Sequence, residues 1–198
     1  MKMSKLAAVS AALILAVSAF AGCRPIKTEK TSEAEHKTYV QTTRVIGENK
    51  IEVSINEDKS VNNSTFKVNK VINSGRKTDD GLNFIYADVT IKNDSDQPYT
   101  VNALNNFYLL LNNGVEVYTD VRTDIYGKQH VNGYEQLLEV APGAEYTGYV
   151  GFLLGDSVKD FTLCYFPTGT DNDKTNVIQC KINESDIVDA PADFIINE

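Results

Sequence analysis

Two cysteines in the C-terminal third, Cys164 and Cys180, are the side chains best suited to form a covalent cross-link. Cys164 alternates with Phe166 along one predicted strand, and Cys180 alternates with Ile178 along the next. A hairpin centred near Asn172 would place the two thiols opposite each other, and an exported chain would permit a disulfide there. The bridge would close a loop of about 15 residues and contribute roughly 3 kcal/mol. We therefore predict a Cys164–Cys180 disulfide; the alternative is two buried free thiols, because cysteine is often an ordinary core residue.

The acidic loop between these two strands begins like a calcium-binding loop at residues 171–173. However, Asn176 stands at the sixth position and Ile182 at the twelfth, where an EF-hand needs Gly and Glu. The sequence has only two histidines, His36 and His130, and so offers no His-rich set of metal ligands. We expect neither a metal nor a cofactor.

The sequence also lacks the motifs that mark common catalytic sites. G-x-S-x-G, H-E-x-x-H and a phosphate-binding loop are all absent, so no catalytic residue is assigned. A Ser/His/Asp arrangement could still assemble in space, but we expect the protein not to be an enzyme. The formal charge of −8 leaves no basic surplus to neutralise phosphates, so nucleic acid is not an expected partner.

A third cysteine, Cys23, follows a segment with the features of an export signal. Lys2 and Lys5 precede an apolar run that is too short to span a membrane as a stable helix and that ends in two small residues. The Cys directly after them resembles the lipobox of bacterial lipoproteins, whose Cys receives a diacylglyceryl group and becomes the first residue after cleavage. Phe20 departs from the usual Leu, and an ordinary secretory signal with a coincidental Cys is the alternative. Because two acyl chains anchor stably, we expect attachment to the extracytoplasmic face of the cell membrane through the N-terminal lipid.

These features divide the chain into four segments. Residues 1–22 form a lipoprotein signal peptide, residues 23–47 the lipidated Cys and a disordered tether, residues 48–183 the folded domain, and residues 184–198 an acidic tail. The tether has few large apolar residues and no periodicity, so it cannot bury enough apolar surface to fold. In the tail, Phe194 could dock on the domain, or the terminus could fray.

Short alternating segments separated by turns dominate the folded domain. In the clearest of them, Ile85, Ala87, Val89 and Ile91 fall on one face and alternate with polar residues such as Asp88. No helical pattern of three turns or more is convincing. We therefore expect an all-β fold, an antiparallel β-sandwich of about eight or nine strands, with a closed barrel as the alternative.

Three segments together resemble a known family: FIYADVTIKNDSDQPYTV, LNNGVEVY and LEVAPGAEYTGYVGF. They are similar to the immunoglobulin-like domain found behind lipobox signals in many Gram-positive lipoproteins. That family has no assigned function and is grouped with immunoprotective extracellular domains. The resemblance covers about residues 60–166 and implies an immunoglobulin-like sandwich, but it supplies no catalytic residues.

The longest stretch without a clear pattern, residues 119–135, is the predicted binding loop. Loops of this length are commonly functional, and aromatic and cationic side chains suit an interface. The candidate binding residues are Tyr118, Arg122, Tyr126, Lys128, His130 and Tyr134. The alternatives are a crossover or a flap that covers a sheet edge, with the tyrosines lining the solvent-facing side of a sheet. We expect a binding module for an envelope protein or glycan; the alternative is a structural spacer or assembly accessory of the cell envelope.

Overall fold

The computed structural model describes residues 46–135, 137–170 and 172–196, apart from the side chains of residues 137 and 138. The predicted signal peptide, Cys23 and the tether up to residue 45 lie outside the described residues. Within them, no helix is both long and apolar enough to cross a membrane. The described residues form twelve strands, two α-helices and one 3-10 helix: β1 (Asn49–Val53), β2 (Lys59–Val61), β3 (Ser64–Lys77), β4 (Asn83–Asn93), β5 (Tyr99–Asn102), α1 (Ala103–Asn106), β6 (Phe107–Leu111), β7 (Glu116–Tyr118), α2 (Val121–His130), β8 (Leu137–Val140), β9 (Glu145–Leu154), β10 (Phe161–Tyr165), β11 (Asn176–Ile182), the 3-10 helix (Glu184–Asp186) and β12 (Ile187–Asp189).

Two sheets form the layers of a sandwich. One has the order β1-β11-β10-β6-β7, and the other has the order β12-β3-β4-β9 with β2 added on β3. A separate two-stranded sheet joins β5 to β8. The pairs are antiparallel except β1–β11 and β12–β3, which are parallel. The predicted all-β sandwich is confirmed, with short strands such as β2 and β12 raising the count above eight or nine. The closed barrel is wrong, because the strands run in separate open sheets.

The main core lies between the two large sheets. Ile85, Ala87, Val89 and Ile91 are all buried in it, which confirms the register predicted for β4. Phe66 of β3 stacks on the ring of Tyr165 from the opposite sheet, with 4.5 Å between ring centroids. Such aromatic pairs bury large apolar area and fix how the layers sit on each other.

The other face of β4 is covered by a second apolar layer rather than by solvent. Tyr86 and Asp88, which point away from the main core, are both buried. The buried apolar members of this layer come from β3, β4, β9 and the segments after α2 and β12: Ile72, Phe84, Tyr86, Val131, Leu153 and Phe194. One sheet is therefore packed on both faces.

A helix, α2, occupies the stretch that we expected to be an irregular loop. Its start is capped by the Asp120 carboxylate, which accepts a hydrogen bond from the backbone N–H two residues on (2.8 Å). Lys128 lies in its last turn, where a cation complements the helix dipole. The buried side of the helix is polar or small: Thr123, Asp124 and Gly127. Because these residues form no apolar stripe, periodicity does not reveal the helix in the sequence.

The predicted disulfide is not formed, because the strand register differs by one residue from the register that it needs. β10 and β11 do pair as an antiparallel hairpin, but Cys180 lies opposite Leu163 and Cys164 lies opposite Gln179. Successive residues of a strand point to opposite faces. Cys180 therefore packs in the main core and Cys164 in a separate cluster on the outer face. Both are buried free thiols.

The segment that we set apart as an acidic tail is integrated into the sandwich. β12 pairs in parallel with β3, and the backbone N–H of Ala190 donates to the carbonyl of Asn73 (3.0 Å). Phe194 is buried, and Ile195 forms an antiparallel bridge with Val131. Of the two outcomes left open for this segment, docking is the one observed.

Candidate binding surface

Two of the predicted binding residues, Tyr126 and Tyr134, turn inward and pack. The Tyr126 ring stacks on Phe84 with 4.3 Å between centroids, and Tyr134 meets Tyr86 edge to face at 5.9 Å. His130 lies against Tyr126 with 4.6 Å between ring centroids. Burial raises the pKa of the Tyr134 phenol above its ordinary value. These rings fasten α2 to the second apolar layer, as expected for a segment that covers a sheet.

Backbone contacts set how closely α2 approaches the sheet. The Tyr86 hydroxyl donates to the carbonyl of Thr123 (3.1 Å), and the Thr123 hydroxyl reaches the carbonyl of Gly151 on β9 (3.2 Å). A Cβ at Gly151 would lie 2.7 Å from Thr123 Cβ, so only glycine allows this approach. These hydrogen bonds and the missing side chain at Gly151 therefore set the distance between α2 and the sheet.

The two predicted cations, Arg122 and Lys128, both take part in ion pairs. The Arg122 guanidinium lies 3.0 Å from an oxygen of Asp120 and 3.0 Å from an oxygen of Asp80. Hydrogen bonds to Asp120 and Asp80 raise the Arg122 pKa above its ordinary value. Lys128 Nζ lies 3.0 Å from a carboxylate oxygen of Asp124. Arg122 therefore ties the first turn of α2 to the loop between β3 and β4.

Exposed apolar side chains mark the outward side of this region. Tyr118 is 55% exposed, Val121 61% and Ile125 51%. Val121 and Ile125 are four residues apart, so they share one face of α2. The Tyr118 hydroxyl donates to a carboxylate oxygen of Glu116 (2.6 Å), which orients the ring. We call Tyr118, Val121, Arg122 and Ile125 the α2 surface.

Val121 and Ile125 were missed by the sequence analysis. Once Asp120 is recognised as a helix cap, their spacing of four residues predicts a shared apolar face, and this is the signal that could have found them. Exposed apolar groups next to an arginine fit a protein-contact surface. No group of three His, Cys, Asp or Glu side chains is placed to hold a metal ion among the described residues.

Comparison with known proteins gives a family match and several distant structures. The family model described as Domain of unknown function (DUF4352) matches residues 53–176, which is more than half of the chain. No curated protein matches significantly. A candidate lipoprotein of Bacillus subtilis, ycdA, is 17% identical with a TM-score of 0.49; the match covers 65% of this chain but only 39% of ycdA.

Two further solved structures have a similar level of likeness. The yjhA protein of Bacillus subtilis is 20% identical with a TM-score of 0.49, covering 66% of this chain and 98% of yjhA. An uncharacterised β-sandwich protein of Clostridium difficile 630 is 14% identical with a TM-score of 0.43, covering 69% of this chain and 96% of that protein.

Proposed function

We propose that this chain, which belongs to the family described as Domain of unknown function (DUF4352), is an extracytoplasmic lipoprotein whose sandwich is a non-catalytic binding module. Cys23 supports the anchor, because it follows a basic start, an apolar run and two small residues. Two acyl chains on this residue would hold the domain at the membrane.

The binding role rests on the α2 surface. Its apolar members, Tyr118, Val121 and Ile125, are each more than half exposed, although the same chain buries large apolar residues in two layers. An aromatic ring, an aliphatic pair and Arg122 are the residue types enriched where proteins meet. Because α2 is fastened by partly buried aromatic rings and ion pairs, the surface is held in place before a partner arrives.

Site-specific photo-cross-linking in cells that make the protein tests the binding role. A benzophenone side chain at Ile125 should give one discrete adduct, and the same probe at Val188 should give none; Val188 is also apolar and exposed, but it lies on β12. The adduct should disappear when Val121→Glu is added. Equal adducts at both positions would contradict the proposed binding surface. The absence of adducts at both positions would also contradict it, and would favour a structural spacer.

The anchor is tested separately by Cys23→Ser. Loss of labelling by a fatty-acid analogue and release of the protein from membranes are expected. A variant that stays in the membrane fraction and is still labelled would show that Cys23 is not the lipidated residue.

A further inference from the structure

A polar cleft of about 460 Å³ opens at one end of the sandwich, away from α2. It lies where β5 and α1 face the loop between β10 and β11. Among the described residues that line it, none carries a charged side chain. Its hydrogen-bonding side chains are amides and hydroxyls, and they include Thr100, Asn102, Asn105, Asn106, Thr168 and Asn172.

The floor of the cleft is fixed by Asn106, which is buried. Its side-chain amide donates to the carbonyl of Phe166 and to the hydroxyl of Thr168, both at 3.0 Å. Its side-chain oxygen accepts from the backbone N–H of Asn102 (3.0 Å). Asn106 therefore joins α1 to the β10–β11 loop, and both N–H donors of its side-chain amide are used within the fold.

The described part of the β10–β11 loop, which forms one wall of the cleft, is also held in place by contacts with the rest of the domain. Gly169 has φ +52°, and a Cβ there would lie 2.7 Å from the carbonyl oxygen of Asn62. The Asn62 amide donates to the carbonyl of Pro167 (2.9 Å), and Lys174 Nζ donates to the carbonyl of Asn105 (2.6 Å). A site held in this way loses little conformational freedom when a ligand binds.

The rim, in contrast, carries unused hydrogen-bonding groups. The Thr100 hydroxyl and the side-chain amides of Asn105 and Asn172 make no hydrogen bond within the described chain, and Asn102 uses only its oxygen, to cap α1 at Leu104. These groups supply both donors and acceptors and no net charge. An apolar ligand would leave them unpaired at a cost, and a charged ligand would find no counter-ion among the described residues of the lining.

We infer that this cleft binds a neutral oligosaccharide. Hydroxyl and acetamido groups match the rim, because they are neutral and both donate and accept hydrogen bonds. Peptides are recognised through strand edges, apolar grooves or charge clusters. The described lining offers neither an apolar groove nor a charge cluster, and a triglycine probe tests recognition through the edge of β5. The inference does not depend on the α2 surface; the proposed location outside the membrane only indicates that envelope polymers would be the source.

Titration of the full chain followed by NMR tests this inference, with chitotriose, maltotriose and triglycine as probes. Chitotriose or maltotriose should shift the side-chain amide signals of Asn102, Asn105 and Asn172, with a dissociation constant on the order of 1 mM, because a few neutral hydrogen bonds bind weakly. A preference for chitotriose would indicate an acetamido polymer as the source, and a preference for maltotriose a purely hydroxylic one. Asn105→Ala should weaken binding about two- to tenfold.

The matched control is Asn113→Ala, since Asn113 is also exposed but lies in the β6–β7 turn; it should leave the affinity unchanged. Shifts confined to residues outside the cleft, no response to either sugar, or an equal response to triglycine would overturn the inference. None of these outcomes bears on cross-linking at Ile125, so failure of one proposal is distinguishable from failure of the other.

Discussion

Val89 and Asp88 are adjacent in β4, yet they face two different layers of the protein. Val89 is almost completely buried in the main core. Asp88 is 8% exposed under the second layer, where its carboxylate accepts from the Asn69 amide (2.8 Å) and lies 3.7 Å from Lys70 Nζ. A substitution at either position therefore meets packed surroundings, but only Asp88 has polar partners.

Val89→Asp is expected to lower the free energy of unfolding by about 3 kcal/mol or more, because it buries a charge without a partner. Asp88→Asn should cost about 1 kcal/mol, since an amide oxygen can still accept from Asn69. Urea denaturation of both variants measures the difference. Equal losses would mean that the register of β4 is displaced by one residue.

The two cysteines should behave as buried free thiols. In the Cys23→Ser chain, a thiol reagent should not react with the native protein and should report two thiols after denaturation without reductant, because Cys164 and Cys180 are fully buried and unpaired. Adding a reductant should leave the melting temperature unchanged. Finding no thiols in the denatured, unreduced chain would show that a disulfide forms after all.

Alkaline pH is expected to destabilise the fold through buried phenols and thiols. Burial raises the pKa of Tyr146 to about 12 and that of Cys180 to about 12. A folded-state pKa above the unfolded value means that the unfolded chain releases its proton first. The stabilisation is therefore complete below about pH 9 and is lost between about pH 9 and the raised values.

Melting curves between pH 7 and pH 11 test this, with Tyr146→Phe as the informative variant. The Tyr146 hydroxyl is buried and has no hydrogen-bond partner among the described residues, so removing it should cost little at pH 7 and reduce the loss above pH 10. An identical pH profile for parent and variant would exclude Tyr146 as a source of the alkaline loss.

At the scale of elements, the docking of α2 depends on glycine at the edge strand β9. Gly151→Ala should lower stability by about 1–3 kcal/mol, because the new methyl group would overlap Thr123 and Tyr86 and force the helix away. Gly155→Ala is the control, since a Cβ there meets nothing within 4 Å. Thermal unfolding compares the two. If Gly155→Ala proves as damaging as Gly151→Ala, the close approach of α2 is not the cause.

The C-terminal segment is the second element that covers the sheet. Phe194→Ala should cost about 3 kcal/mol, since its ring is buried 5.7 Å from the Tyr86 centroid and 5.2 Å from that of Tyr149. Ile196→Ala, at an exposed position, should have little effect. Similar melting temperatures for the two variants would indicate that the segment is not docked in solution.

Sequence patterns predicted the strands well because most strands place one alternating face in the main core. β4 and β6 were identified from their apolar residues, and the turn at residues 112–114 between β6 and β7 was identified from its Asn and Gly residues, of which Gly114 takes positive φ. The helix α2 was not predictable from apolar spacing, since Thr123 and Gly127 form its buried face. The disulfide prediction failed because periodicity gives the face of each strand but not the register between two strands.

The α2 surface was predictable only in part for the same reason. Tyr118 and Arg122 were chosen by residue type and do lie on the exposed side. Tyr126 and Tyr134 are tyrosines like Tyr118, but they pack, partly buried, on a second apolar layer that is built from distant parts of the chain. Residue type indicates what a side chain can do, whereas the tertiary fold decides whether it is available.

At the scale of the whole molecule, the parallel pairing of β1 with β11 determines when the domain can finish folding. β1 has no other partner strand among those described, and the paired residues Asn49 and Asn176 are 127 positions apart. A chain that crosses a membrane with its N-terminus leading delivers β1 first, and β1 must wait for almost the entire domain to emerge. Such distant pairing makes folding slow. The edge of this sheet would therefore be the last part of the sandwich to form, only after β11 has emerged on the far side of the membrane.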